Sequence, residues 1–542
     1  MRRAVLSGFA LTLTSALVAC SGGGTQANEQ VAEEDLVSVM PAASGDVDRI
    51  TWNLTTGEPD TLDPRNAVNY SSGQVVRNMC ESVLAMDPEF GITSGLASVD
   101  QRSPTELVLT IDENAKFWDG TPVTPDDVVY SLNRSADPTD SVVSFAFVSL
   151  ESVSATGPNE VTVRLTEPDS MFMQSMATIS GAVIKKEWAE AAGDGVGTPE
   201  GGLMCSGPFE LQSWDSGSRI TMVRNDAYWN PELRPFASEV EFRFVTDASA
   251  VTQALQAGEI DGAYELPASV VPSLRTTDAG QLTLGPSTQG VNIAVARPDG
   301  PLADVAIREA LQRAIDRDAL SSSVFNGAAQ PNYTHLTSTT WPNSERDAYQ
   351  VLYDQFAEER AFDVEEAKTM VENSSYDGSP IVMVTRAGDD VMSRLAQLVQ
   401  QQAKSIGLNV EVQVMQPLIF AQAQYDPSAR VGVDLILSTS FNSGQNPLEP
   451  LGFDLLPGES YNYTNFDNPE VTRLLSEARA SDDLTKQTEL ILEAQKIYEP
   501  DSSVISLVNT YTTTFVNKRL TGAVTSFAYW SMPQMAYIGS AS

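Results

Sequence analysis

Apolar positions along this chain fall into two rhythms. Between Glu106 and Ile111, Leu107, Leu109 and Ile111 alternate with Val108 and Thr110, the period of a strand with one buried face. Asp119-Gly120 marks a turn, and a helix start follows. Thr124 stands at the N-cap, Pro125 at the first helical position and Asp127 three residues past the cap, close to a capping box. Val128, Val129 and Leu132 then form one apolar stripe. The same rhythms recur along the rest of the chain. They predict a strand over 50–54 and a helix over 73–84 with Val75, Val76, Met79 and Val83 inward. Asp304 caps a helix predicted over 305–320, whose stripe is Ile307, Leu311, Ala314 and Ile315. Residues 381–385, 391–406 and 410–414 read as strand, helix, strand, with Gly407 ending the helix. A unit of that length implies parallel strands and a right-handed crossover. Further strands are predicted over 433–437, 504–508 and 512–516. One helix opens at Asn468-Pro469-Glu470, and a longer one carries Leu484, Ile491 and Tyr498 on one face. The pattern is that of a mixed α/β protein.

Composition narrows the functional classes. The chain has 542 residues, enough for two or three cores, and 42% of them are hydrophobic. Lys plus Arg number 33 against 72 Asp plus Glu, a formal charge of −39. Nucleic-acid binding is dominated by phosphate neutralisation, so nucleic acid is excluded as a partner. The acidity reads as solubility outside the cell and says nothing about the charge of any one pocket. His335 is the sole histidine, which argues against His-rich zinc sites and against Ser-His-Asp or Cys-His catalysis. Neither a nucleophile-elbow motif nor a phosphate-binding loop is present, so no cofactor, metal or catalytic residue is expected. Gly193, Gly195 and Gly197 follow no clear strand and read as a flexible loop.

Residues 1–19 combine Arg2 and Arg3 with a short apolar core, the pattern of a secretory signal. Leu17-Val18-Ala19-Cys20 resembles a bacterial lipobox, which implies cleavage before Cys20 and a diacylglycerol on its thiol. Residues 20–46 lack apolar periodicity and read as a tether with a reach of about 25–30 Å. Cys80 and Cys205 then remain, and an oxidising compartment favours a disulfide between them over two separate buried thiols.

The stretch FWDGTPVTPDDVVYSLNR, residues 117–134, resembles the signature of the bacterial family 5 extracellular solute-binding proteins. Other landmarks follow in the family's order. They are Leu62-Asp63-Pro64, Ser206-Gly207-Pro208-Phe209, the turn over 223–229, the helix ending Gly258-Glu259-Ile260-Asp261, and REALQRAIDRDAL at 308–320. The resemblance covers about residues 48–530. It implies a two-lobed, class II periplasmic-binding-protein-like fold of the large family 5 type, with an extra N-terminal subdomain. Lobe I would span 47–288, its subdomain about 76–168, and lobe II 289–508, with 509–542 returning to lobe I. The hinge would be two crossovers, at 285–290 and 509–512.

The resemblance also implies a role. The chain would be a monomeric lipoprotein, held at the cell membrane by Cys20, that captures a solute between its lobes. A peptide is the expected solute. It would be delivered to the permease and ATPase subunits of an ABC importer. In peptide-binding relatives an aspartate anchors the peptide's α-amine within a pattern like D-x5-W-x2-D-x3-P. Here that stretch is 434–447, with Asp434 and Pro447 in place, Ser440 at the tryptophan position and Ser443 at the anchor. A buried ammonium needs a counter-charge. Amine capture would therefore use another carboxylate, or the ligand has no free N-terminus. The expected ligand-facing residues are Phe441, Asn442 and Ser443 on lobe II, Asn69 and Tyr70 after the LDP turn, and Tyr511 at the return crossover. The alternatives are a family 5 receptor for an oligosaccharide, opine or metal chelate, a lipoprotein that senses a ligand and signals, and a secreted hydrolase using paired carboxylates. A single histidine argues against direct nickel binding.

Overall fold

A computed structural model describes Val31, residues 33–459 and residues 461–541. Cys20, the signal and the start of the tether lie outside the described residues. Two large sheets organise the rest. The first, of seven strands, runs in the order Gly280–Gly285, Thr512–Asn517, Gly262–Ala263, Val47–Asn53, Ala237–Arg243, Arg219–Arg224, Phe209–Asp215. At its centre Ile50 and Trp52 of Val47–Asn53 are fully buried, between parallel neighbours on both sides. The second sheet has six strands, in the order Ala329–Pro331, Val504–Thr510, Gly290–Val295, Leu435–Ser440, Ile381–Arg386, Val410–Met415. Ile381–Arg386 and Val410–Met415 pair in parallel across the helix Asp390–Ser405.

The chain passes between the sheets twice. Gly280–Gly285 belongs to the first and Gly290–Val295 to the second; Val504–Thr510 belongs to the second and Thr512–Asn517 to the first. The crossovers are therefore 286–289 and the single residue Tyr511. Two lobes joined in this way can swing about these short links.

A smaller antiparallel sheet is inserted in lobe I, in the order Ala97–Ser103, Glu106–Ile111, Glu160–Leu165, Leu150–Ala155. Its apolar face carries Leu107, Leu109, Ile111, Val161, Val163 and Leu165, all buried. The helix Pro125–Ser135 lies against it through Val128 and Leu132. Thr124 and Asp127 form the full capping box: the Thr124 hydroxyl accepts from the Asp127 N–H, and Asp127 accepts from the Thr124 N–H at 3.0 Å. The Cys80–Cys205 disulfide, with Cα atoms 4.9 Å apart, closes a loop that contains this whole sheet.

Four sequence readings need correction. The helix predicted over 73–84 runs over Tyr70–Val76 and stops there. Beyond it the backbone is diverted to the start of another strand: the Gly207 N–H donates to Met79 and the Phe209 N–H to Asn78, beside the disulfide. The helix predicted over 305–320 ends at Ala314, because Ile315 turns extended and Asp316 caps a new turn. The end of the predicted tether is docked. Val37 donates to Leu284, Met40 to Ala523 and Ser44 to Ser540, and Met40 is buried. Single residues dock there rather than a face, so no periodicity announces it. The glycine loop is also held. Gly197 has φ +73° and a Cβ on it would meet the Asp63 nitrogen at 1.9 Å, so this contact with the LDP turn needs glycine.

Candidate functional site

The two lobes touch along one interface. On lobe I it starts at the LDP loop. Asn69 caps the helix Tyr70–Val76: its Oδ1 accepts from the Ser72 N–H at 2.7 Å, and its Nδ2 donates to Asp60 at 2.6 Å. The Asn69 side chain, expected to face ligand, is thus committed at both ends. Tyr70, next in the chain, faces the crossover. Its hydroxyl donates to Gln289 Oε1 at 2.6 Å, and Gln289 Nε2 donates to Glu265 Oε2 at 2.9 Å. Burial first, and the Glu265 charge second, push the Tyr70 phenol well above its usual range, so it stays a donor.

On lobe II the site grows from the end of the strand Leu435–Ser440. Ser440 pairs with Gly290, so the loop that follows emerges at the crossover itself. The Thr288 hydroxyl donates to the Asn442 carbonyl at 2.6 Å, fixing the loop against lobe I. Asn442 is buried. Phe441, half-buried, points across. Its ring centroid lies 5.1 Å from Tyr70, 5.5 Å from Phe527 and 5.2 Å from Trp530. Tilted and edge-on aromatic contacts of this kind are favourable beyond the area they bury. Gly73 permits the arrangement: a Cβ there would lie 2.2 Å from Trp530 Nε1.

Ser443, at the position where peptide-binding relatives place an aspartate, faces a carboxylate of its own chain. Its N–H donates to Glu449 Oε1 at 3.0 Å, and its hydroxyl lies 2.9 Å from both Glu449 oxygens. Gln174, from lobe I, reaches Glu449 Oε2 at 3.4 Å. Nearby, Arg479 of lobe II donates from Nε and Nη2 to the two oxygens of Asp169 at 2.8 and 2.6 Å. Phe145 and Phe453 meet edge to face at 5.0 Å.

Two carboxyls of this interface are pushed up to about 7 by burial, Glu265 on lobe I and Glu449 on lobe II. The Ser443 donors oppose the shift at Glu449, and Gln289 and the nearby Tyr529 oppose it at Glu265. Sequence reasoning singled out neither residue. Asp434, the strand aspartate of the family pattern, is buried and bonded to Arg297 and to the Val382 N–H, which fixes strands rather than ligand.

Tyr511 stands at the return crossover, as the sequence places it. Its ring packs with Val271, Leu284, Ala328 and the N-terminal residues Val31 and Leu36, and its hydroxyl donates to the Val31 carbonyl at 3.2 Å. It belongs to the packing of the crossover and not to the Tyr70–Phe441 group. His335 is buried against Asp454, with Nε2 2.5 Å from Oδ2. Among the described residues no three His, Cys, Asp or Glu side chains gather to hold a metal ion. No helix among them is long and apolar enough to cross a membrane.

The family model of bacterial extracellular solute-binding proteins, family 5 (middle region), matches residues 92–462, more than half of the chain. The chain belongs to this family. It is an extracytoplasmic solute-binding protein of the kind that serves ABC importers. Among curated proteins it is similar to the glutathione-binding protein GsiB of Escherichia coli K12, at 25% identity over 486 residues, 88% of this chain and 91% of the relative. Among solved structures it is similar to the oligopeptide-binding protein AppA of Bacillus subtilis, solved with a nonapeptide. The TM-score is 0.74 at 20% identity, covering 92% of this chain and 100% of that one. The binding protein AgaA of Agrobacterium tumefaciens, solved with agropinic acid, gives a TM-score of 0.76 at 19% identity, covering 91% of this chain and 99% of that one. At these identities the structures speak to the fold alone, and they share the two-lobed fold described above.

Proposed function

We propose that this family 5 protein captures a peptide between its lobes, along the interface where Phe441 enters the Tyr70, Phe527 and Trp530 group. That cross-lobe insertion is the observation that carries the reading. A ligand held there touches both lobes at once, and only contacts made with both can favour the closed arrangement. Aromatic walls with a few polar groups suit an extended peptide. The relatives that bind glutathione and a nonapeptide support a peptide, and the agropinic-acid relative keeps a non-peptide solute as the second reading. The protein acts as a receptor and not as a catalyst, is a monomer, and hands its solute to a permease. Cys20 carries the lipid that keeps it at the membrane. Replacing Cys20 with Ser should release the mature protein from membranes and remove the acyl mass.

Native mass spectrometry of the purified full chain tests the peptide reading. A co-purified mass that fragments into amino acids supports it, and a sugar or opine mass overturns it in favour of the second. Phe441→Ala should lose the co-purified mass; its retention would place the solute elsewhere.

A further inference from the structure

Glu265 is held in a way that the folded chain itself does not use. It follows the strand Gly262–Ala263 of lobe I and adopts φ +52°. A non-glycine residue in that region is strained by roughly 1–3 kcal/mol, and such strain persists at sites where geometry serves function. One carboxylate oxygen accepts from Gln289. The other, Oε1, is buried and makes no hydrogen bond. The Tyr529 hydroxyl lies near it without a bond of good geometry, and it too is buried and unpaired, as is the Trp530 indole N–H. The groups that act on the Glu265 carboxyl are Gln289, Tyr529 and the phenols of Tyr70 and Tyr264. None is a cation, and among the described residues Glu265 takes part in no ion pair. A buried carboxyl without a counter-charge is unfavourable. The surrounding rings offer further attraction to a positive group: Tyr264 stacks on Tyr529 at 3.9 Å, Phe527 meets Tyr529 edge-on at 5.7 Å, and Trp530 stacks against Phe527.

We infer that Glu265 is the anion that receives a cationic group of the solute, an ammonium or a guanidinium, at the lobe interface. The inference rests on the receptor reading above and names the charge of its solute. Ser443 and Glu449 satisfy one another on lobe II, so the counter-charge missing from the anchor position is supplied from lobe I. Among the described residues no positive side chain pairs with Glu265 or acts on its carboxyl, so a bare cation suffices for this contact. The charge of −39 on the chain adds a field that draws cations in.

Thermal melting and calorimetric titration of the full chain test this with three defined probe sets. They are a pool of tripeptides with free amines, the same pool N-acetylated, and arginine amide, which is cationic without a carboxylate. The wild type should be stabilised by the free-amine pool and by arginine amide, with the acetylated pool at least tenfold weaker. Glu265→Gln, which keeps the shape, should abolish the preference. Glu265→Asp, which keeps the charge, should retain its order, and circular dichroism checks that both variants fold. Equal binding of the acetylated pool, or a preference that survives in Glu265→Gln, overturns the cation site and leaves the receptor reading standing. A melt unmoved by all three sets overturns both.

Discussion

Glu265 and Glu449 lie on opposite lobes of one interface, and burial pushes each carboxyl up to about 7. Around Glu449 the chain supplies three donors: the N–H and hydroxyl of Ser443 and the amide of Gln174. Around Glu265 it supplies one, from Gln289, in an aromatic setting and on a strained backbone. The first carboxyl is therefore a lobe-to-lobe fastening, complete without any ligand. The second is prepared for something else. Equal shifts with unequal partners teach that a raised pKa alone does not distinguish a structural acid from a binding one. The count of satisfied oxygens does.

The largest effect that separates the two is pH dependence. Each carboxyl titrates near 7 when folded and near 4.5 when unfolded. Between these values the folded chain holds more protons, so stability falls as pH rises from about 4.5 to about 7 and is level above that. Each group contributes up to about 3 kcal/mol to this fall. Glu449→Gln and Glu265→Gln should each flatten the melting temperature between pH 5 and pH 7.5, yet only Glu265→Gln should also alter the response to ligand charge. If Glu449→Gln alters it as well, the distinction fails.

Phe441→Ala comes next. Losing a half-buried ring should shift the closed arrangement by about 2 kcal/mol, roughly thirtyfold towards open. Small-angle scattering should report a larger radius; an unchanged radius would mean that the polar end alone holds the lobes together. Arg479→Ala acts at that end. Asp169 keeps its Ser149 and Met171 donors, and Arg479 is 30% exposed, so the loss should be about 1–2 kcal/mol. The same scattering measurement ranks it against Phe441→Ala. Smallest is Ser443→Ala, which removes one hydroxyl from Glu449 but keeps the N–H, at about 1 kcal/mol. Ser443→Asp should be worse, because it sets a second carboxylate against Glu449; improved binding of free-amine peptides by this variant would return Ser443 to the anchor role.

The local rules were legible where local chemistry decides. The capping box of Thr124 and Asp127, the alternation of 106–111 and the unit over 381–414 can be read from neighbouring residues, and they appear in the structure. Boundaries slipped where a distant segment intervened, as at Val76, whose helix yields to pairing with 207–209. Phe441 and Tyr70 were named through the family pattern, and their rings lie in contact with each other. Glu265 and Glu449 were missed because burial of a carboxylate is set by what packs on it, and among 72 acidic residues nothing local marks these two. The packing around Tyr511 was not legible, because it joins Val271, Leu284 and Ala328 to Val31 and Leu36 from distant parts of the chain.

The bond between Cys80 and Cys205 bears on how the protein survives among proteases. Its loop of 125 positions encloses the small inserted sheet, together with exposed turns such as the one at Gly120. Exposed turns are where nicking concentrates. A single backbone cut anywhere between 81 and 204 leaves both pieces covalently joined beside Tyr70, Gly73 and the rest of the aromatic wall. Damage to the insert then stays confined to the insert, and the nicked chain keeps its binding face until the bond is reduced.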